Sequence, residues 1–242
     1  MEMHFEHKTH FLDVAADYLG LEEVTPVEYE HLTKDEQKYT QMAMIKNYGD
    51  PSHQWCAHTV STLCNLAGID IGRHKASVFR AAGNNFVDWA RERNAWKPLN
   101  TYNLTNENYE TNLDRREIEI KKQLSQIHEG DFCIWASKFA VKVDGENSRI
   151  EKQASHIGIF EYINLKEGYV IIIEGNANIS ERNDYYDRKI ASTPSEAKRG
   201  DQDLGDFTEI NMRDGLIRKK YTIKDLAKYG YSGFIDNKNI IK

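Results

Sequence analysis

One stretch, SHIGIFEYINLKEGYVIIIEGNAN from Ser155 to Asn178, constrains the fold more than any other part of the chain. Two runs rich in aromatic and β-branched residues flank a loop of turn-forming residues, Asn164–Gly168, and this pattern predicts a β-hairpin. If the hairpin is centred on the middle of that loop, His156 faces Asn176 and Glu174 is a diagonal neighbour on the same face. The sequence therefore predicts an antiparallel sheet in the second half of the chain.

Periodicity and turn signals predict the elements around this hairpin. We expect helices over His10–Leu19, Lys34–Tyr48, His53–Ala67, Asn84–Arg93 and Arg115–Gln126, a loop over Leu21–Asp35, and strands over Asp131–Ser137, His156–Tyr162, Tyr169–Glu174, Gly215–Ile223 and Tyr231–Ile235. No Pro- or Ser-rich linker divides the 242 residues. We therefore predict a single α+β domain over 1–242, with long polar insertions around 97–127 and 178–213.

Composition excludes several classes of protein. A net charge of -6 argues against a nucleic-acid binder, which would carry a basic stripe. No apolar run is long enough to span a membrane, and the amino terminus lacks the pattern of a secretory signal. Three cysteines are too few for a disulfide framework. We expect synthesis in the cytoplasm, with any role outside the cell depending on a specialised secretion system, phage delivery or lysis.

Cys56 lies near the start of a short amphipathic helix in the stretch HQWCAHTVSTLCNLAGI. Ser52 is a candidate N-cap for this helix and Gly68 a candidate C′ residue. A thiol in the first helical turn is close to unpaired amide N–H groups and to the positive end of the helix dipole, which favour the thiolate. Those amides, with Gln54 as a side-chain donor, could stabilise an oxyanion.

Two other interpretations of this cysteine stay open. It could be a small buried hydrophobic residue, which is how we interpret Cys64 and Cys133. It could also be a zinc ligand with neighbouring histidines, although no CxxC or HxxxH pair is present and His58 would point away from it. We therefore expect no metal, and the absence of a glycine-rich phosphate loop leads us to expect no cofactor.

His156 is the candidate general base. The predicted hairpin gives it a carboxylate, Glu174, and an amide, Asn176, as partners for one ring nitrogen, which leaves the other nitrogen for proton transfer. Gly158, two residues on, clears space beside the ring, and the apolar run ends in Glu-Gly-Asn at the expected rim of the sheet. The alternative is an ordinary strand histidine with Glu174 as a solvent-side charge.

Four blocks in this order resemble the CHAP family of cysteine, histidine-dependent amidohydrolases and peptidases, which is related to papain-like and NlpC-type enzymes. They are WCAHTVSTLCNLAGI, GDFCIW, SHIGIF and IIIEGN. The family pattern matches here at Cys56, Gly130-Asp131, His156, Glu174 and Asn176. HFLDVAADYLGLEE and GLIRKKYTI are similar to the leading helix and a closing strand of such domains.

The resemblance implies a papain-like fold, with N-terminal helices packed on an antiparallel sheet, and a cysteine hydrolase of amide bonds. In that reading Cys56 attacks the carbonyl, His156 transfers the proton, and Glu174 and Asn176 orient the imidazole. The register estimate favours Asn176 as the direct partner of His156, whereas the family pattern favours Glu174. The implied substrates are the stem or cross-bridge peptides of peptidoglycan, and an immunity or inhibitor protein is a further expected partner.

Two rival functions are carried forward. The first is an intracellular thiol hydrolase or transferase that acts on protein, isopeptide or glutathione-type amides. The second is a non-catalytic binding protein on the same scaffold.

Overall fold

A computed structural model describes residues 11–21, 23–24, 26–38, 40–45, 55–72, 85–99, 113–142, 148–178 and 214–239. Over these residues the protein is α+β, with helices and a six-stranded antiparallel sheet, which confirms the predicted class. The helices are α1 at 11–17, α2 Pro26–His31, α3 Lys34–Gln37, α4 Gln41–Ile45, α5 Cys56–Leu66, α6 Phe86–Glu92, α7 Leu113–Leu124 and α8 Ile223–Tyr229. The strands are β1 Trp96–Pro98, β2 Phe132–Lys142, β3 Ser148–Asn164, β4 Tyr169–Asn178, β5 Asp214–Thr222 and β6 Tyr231–Ile235. No helix in the described part of the chain combines the length and the apolar character that a bilayer crossing needs.

The sheet has the strand order β1-β6-β2-β3-β4-β5. On β2, Phe132 is opposite Ile159 and Trp135 is opposite His156 of β3. The register shifts directly after Trp135 on the β3 side and directly before it on the β6 side. Both irregularities flank the same residue, and such bulges bend a strand and redirect its side chains.

The predicted hairpin is present as neighbouring strands β3 and β4, but its loop is one residue shorter than expected. Asn164 belongs to β3, and the turn comprises 165–168. The turn is closed by the amide of Gly168 donating to the Asn164 carbonyl at 2.8 Å, with Gly168 at a φ of 72°. The pairing of His156 with Asn176 was estimated for a five-residue loop, and it stays a prediction.

The chain forms two compact units, each built from two separate stretches. The first unit comprises Met1–Ala76 and Ile172–Lys220, and the second comprises Ser77–Ile171 and Tyr221–Lys242. Because the stretches alternate along the sequence, no single linker separates the units. Linker composition, the usual sequence signal for a boundary, could not have marked them.

The helix α5 is the buried centre of the first unit. Every residue in Cys56–Cys64 is buried, so the helix is enclosed on all sides over this range instead of being amphipathic as expected. On one side the Thr62 hydroxyl donates to the Met44 carbonyl of α4 at 2.8 Å. The helix ends as predicted at Gly68, whose φ of 70° allows the amide of Ile69 to donate to the Cys64 carbonyl at 2.8 Å.

The region before α5 differs from the expectation of a loop followed by one long helix. The predicted loop contains α2, which begins at a proline, a favoured first helical residue. Thr33 then starts α3 through a capping box with Glu36, whose pKa is lowered by its hydrogen bonds to the Thr33 side chain and backbone. The Thr40 hydroxyl donates to the Gln37 carbonyl at 3.0 Å. A side chain thus supplies the hydrogen bond that this carbonyl would otherwise receive from a further helical turn, and α3 ends there.

The second unit packs helices on the part of the sheet that it contains. Phe86 of α6 meets Phe132 of β2 edge to face, with ring centroids 5.7 Å apart. The buried guanidinium of Arg116 on α7 donates to the Tyr231 carbonyl at 3.0 Å. The region 97–127, expected to be a polar insertion, thus contributes a short strand and the predicted helix α7 to this unit.

The predicted strand Gly215–Ile223 ends one residue earlier than expected, and helix α8 follows it directly. Thr222 accepts a hydrogen bond from the Asp225 amide and completes a capping box, and Gly230, with a φ of 91°, ends the helix. The helix was missed because its strong caps enclose only seven residues, which is too short for a clear helical period.

Candidate active site

Cys56 is the first residue of α5, so the thiol lies at the helix start as expected. The predicted helix start at His53, the candidate N-cap Ser52 and the candidate oxyanion donor Gln54 fall outside the described residues. The N-cap is Trp55, whose indole can donate but cannot accept a hydrogen bond. This side chain therefore does not cap the amides of the first turn, and amides at a helix start favour negative charge nearby.

Thr59, one turn further along α5, fixes the helix start. Its hydroxyl and its amide both donate to the Trp55 carbonyl at 2.9 Å. The same side chain lies against Gly175 of β4, where a Cβ atom would come within 2.8 Å of Thr59 Cβ and 3.0 Å of Thr59 Cγ2 and would also clash with Thr59 Oγ1. The first turn of α5 and the backbone of β4 are thus in contact through a position where any larger residue would collide with Thr59.

Glu174 precedes this contact on β4. It is buried, with 3% of its surface exposed, so the alternative interpretation of Glu174 as a solvent-side charge is wrong. The strand continues to Asn178, and Glu174 and Asn176 lie within it and not at the expected rim. Successive side chains alternate between faces of a strand, so that of Glu174 belongs to the face away from Thr59.

His156 lies in the interior of β3 and does not open that strand as the resemblance implied. It is opposite Trp135 of β2, with ring centroids 5.2 Å apart and planes at 51°, and it is partly exposed. The register shift after Trp135 leaves Ser155 as an extra residue directly before the histidine. The imidazole therefore stands beside an aromatic ring and next to a bulge, a setting that is common near active sites.

The predicted site residues fall into both units. Cys56, Glu174 and Asn176 belong to the first unit and His156 to the second. The structure brings the helix of Cys56 against β4 between Glu174 and Asn176, through Thr59 and Gly175. The pairing of Cys56 with His156 stays a prediction.

The Gly130-Asp131 block connects two segments of the fold through hydrogen bonds. Asp131 is fully buried, and its carboxylate accepts hydrogen bonds from the His128 amide at 2.8 Å and the Asn237 amide at 3.0 Å. The Asn237 side chain donates in turn to the Gly130 carbonyl. The block therefore joins the start of β2 to the carboxyl-terminal part of the chain.

The other cysteines behave as expected for core residues. Cys64 and Cys133 are reduced thiols with no exposed surface, and burial raises the pKa of Cys64 well above its ordinary value. His58 is also buried. Within the described ranges, no three His, Cys, Asp or Glu side chains are grouped closely enough to hold a metal ion.

Three residues of this site were not found from the sequence: Trp55, Thr59 and Gly175. A signal existed for Gly175, because a glycine inside a strand-like run often marks a close approach of another backbone or side chain. Its partner Thr59 could not be inferred, since nothing local identifies which segment approaches. Compared with protein families, curated proteins and solved structures, the chain matches none of them.

Proposed function

We propose that the chain is a cysteine hydrolase of amide bonds on a papain-like fold, with peptidoglycan peptides as its substrate. Cys56 is the nucleophile and His156 the general base. The observation that carries the proposal is the position of Cys56 as the first residue of α5, at an end whose N-cap side chain cannot accept a hydrogen bond. Backbone amides at the start of a helix can stabilise negative charge on a reacting group, and Thr59 joins this turn of α5 to β4.

The surroundings of His156 support its part in the proposal. The imidazole is partly exposed, and the Trp135 ring lies against it. Glu174 and Asn176 are two residues apart on β4, and we assign them to orienting the imidazole. Because Glu174 belongs to the face of β4 away from Thr59, its assigned part does not include a direct contact with the sulfur.

The reaction follows from these assignments. The Cys56 thiol transfers its proton to His156, and the sulfur attacks the carbonyl carbon of the amide. The C–N bond breaks as the imidazolium returns the proton to the leaving amine, and an acyl thioester remains. Water, activated by the neutral imidazole, then hydrolyses the thioester and restores the thiol.

A labelling experiment with a small thiol-directed activity probe tests the nucleophile. We expect wild type and Cys64→Ala to be labelled and Cys56→Ala to be unlabelled, because only Cys56 lies at a helix start. Cys64→Ala is the matched control, as it removes another buried thiol of the same helix. Unchanged labelling of Cys56→Ala would contradict the assignment.

Clearing of purified sacculi then tests the base and the substrate. We expect His156→Ala to lower the rate by a factor of about 100 or more, in line with the loss of a general base. His128→Ala, with a side chain 46% exposed, is the control and should retain activity. Mass spectrometry of the released muropeptides would identify the bond that is cut. A labelled enzyme that clears no type of sacculus would instead favour an intracellular amide substrate.

One observation favours a non-catalytic binding protein as the second candidate. Cys56 is only 2% exposed, and buried cysteines commonly act as small hydrophobic residues. The same labelling experiment separates the two, because a purely structural thiol would react no faster than Cys64.

A further inference from the structure

The indole N–H of Trp55 is a buried donor for which the described part of the chain provides no acceptor. Trp55 has no exposed surface. Among the residues that the structure describes, none accepts a hydrogen bond from its Nε1 atom. Proteins rarely bury a donor without a partner, because the group loses its hydrogen bond to water and gains nothing in return. An indole N–H can only donate, so the missing partner must be an acceptor such as a carbonyl oxygen.

This donor belongs to the N-cap residue of α5, where the first backbone amides also have no acceptor within the helix. The hydrogen bonds of the helix begin with the Thr59 amide, which donates to the Trp55 carbonyl at 2.9 Å. The amides of Cys56 and Ala57 precede it and have no intrahelical acceptor. One end of α5 thus combines free backbone donors, a side-chain donor and a thiol.

The Trp55 backbone is held in place by two hydrogen bonds. Its carbonyl accepts both from the Thr59 hydroxyl and from the Thr59 amide. Thr59 in turn lies so close to β4 that a Cβ atom at Gly175 would collide with it. Donors that are already fixed in place lose little entropy when they bind an acceptor. Such preorganised donors can stabilise the charge that develops in a transition state.

We infer that the Trp55 indole N–H, together with the Cys56 amide, binds the carbonyl oxygen of the substrate and stabilises the oxyanion. The inference rests on the proposed function. When the sulfur bonds to the carbonyl carbon, the π electrons of the carbonyl move to its oxygen, and that oxygen accepts the two N–H bonds. As the intermediate collapses, these electrons re-form the carbonyl and the bond to the leaving group breaks. Trp55 is therefore a catalytic residue for an acyl substrate.

Two small reagents, one that acylates the thiol and one that alkylates it, separate this function from simple packing. p-Nitrophenyl acetate acylates the thiol through an oxyanion and releases p-nitrophenolate. Iodoacetamide alkylates the thiol at a saturated carbon and expels iodide, so no oxyanion forms. We expect Trp55→Phe, which keeps the ring and loses the N–H, to lower the acylation rate about 100-fold and to change the alkylation rate by no more than about twofold.

Trp89→Phe is the control, because it removes another buried indole N–H from the second unit and should leave both rates unchanged. Equal losses of acylation and alkylation in Trp55→Phe, or no loss in either, would overturn the inference. If wild type is not acylated at Cys56 at all, the proposed function itself fails. Acylation of wild type with an unaffected Trp55→Phe would remove only the indole from the mechanism.

A measurement on the wild-type protein covers the case in which Trp55→Phe does not fold. The chain has four tryptophans, so ¹⁵N labelling of tryptophan gives a simple indole spectrum. N-acetyl-alaninal should add to the Cys56 thiol as a hemithioacetal, whose oxygen takes the place of the oxyanion. We expect one indole N–H signal to move downfield in wild type and none in Cys56→Ala. An adduct seen by mass with no moved signal would contradict the inference.

Discussion

At the scale of the residue, the three thiols differ by position and not by chemical type. Cys56 begins a helix, Cys64 lies within the same helix, and Cys133 lies within β2. Burial without a compensating charge raises the pKa of Cys64, because the thiolate would lose its hydration. A raised pKa in the folded state also makes the stability of the protein depend on pH.

We predict that Cys64 contributes to a loss of stability in alkali. In the unfolded chain a cysteine ionises above a pH of about 8.5, whereas the folded Cys64 stays protonated. The unfolded state then binds fewer protons, so the free energy of unfolding is at its full value below that pH and falls above it. Between about pH 8 and about pH 10, Cys64→Ala should lose about 2 kcal/mol less than wild type in urea denaturation.

The quantity to compare is the slope of the free energy of unfolding against pH, and not the free energy of unfolding at one pH. Cys64→Ala also loses packing, but that cost is the same at each pH. Tyr231 has a pKa raised by burial and by neighbouring Cys133 and Asp131, and it contributes a further loss above about pH 10 in both proteins. Parallel pH profiles of wild type and variant would show that Cys64 is not responsible.

At the scale of the element, the contact between α5 and β4 depends on a single missing side chain. Gly175 lies inside β4, where glycine is unfavourable unless another group needs the space. That group is Thr59, and the contact orders the helix turn that carries Trp55 and Cys56. The position of the thiol is therefore decided by a strand that is distant in sequence.

We predict that Gly175→Ala lowers the free energy of unfolding by about 1–3 kcal/mol, the usual cost of overpacking a core. The new methyl group would displace Thr59, so probe labelling of Cys56 should also slow. Thr59→Ala removes Oγ1 and Cγ2, two of the three atoms that the new methyl group would meet. The double variant should therefore cost less than the sum of the single variants. Additive costs in this double-mutant cycle would mean that the two residues do not interact.

At the scale of the whole molecule, each unit depends on segments that are far apart in the chain. In the second unit, the Asp131 carboxylate accepts amide hydrogen bonds from both His128 and Asn237. Arg116 similarly reaches the Tyr231 carbonyl from α7. Such long-range bonds between buried groups close the carboxyl-terminal segment onto the sheet.

We predict that Asp131→Asn destabilises the protein by about 2–4 kcal/mol, because an amide group would replace one of two buried acceptors with a donor facing an N–H. Asp236→Asn is the matched control, since it makes the same change in charge at a partly exposed residue that accepts from the nearby Lys238 amide. Its cost should be below about 1 kcal/mol. Equal midpoints of urea denaturation for the two variants would show that the buried hydrogen bonds of Asp131 do not stabilise the protein.

The sequence by itself determined the class of fold, most of the regular elements and the stop of α5 at Gly68. These features depend on neighbours a few residues apart: alternating β-branched residues, helical spacing, and turn residues that tolerate a positive φ. The start of α5 beside Cys56 was predictable for the same reason. The loop length of the hairpin was not, because Asn164 suits a turn and the end of a strand equally well.

Only the tertiary structure decided that Glu174 is buried, that Gly175 meets Thr59, that the Trp55 N–H has no acceptor among the described residues, and that each unit is assembled from two stretches. The physical reason is common to all four. Burial and close contact depend on which distant segment arrives at a residue, and that choice is made by the packing of the whole chain, not by the chemistry of a residue and its neighbours.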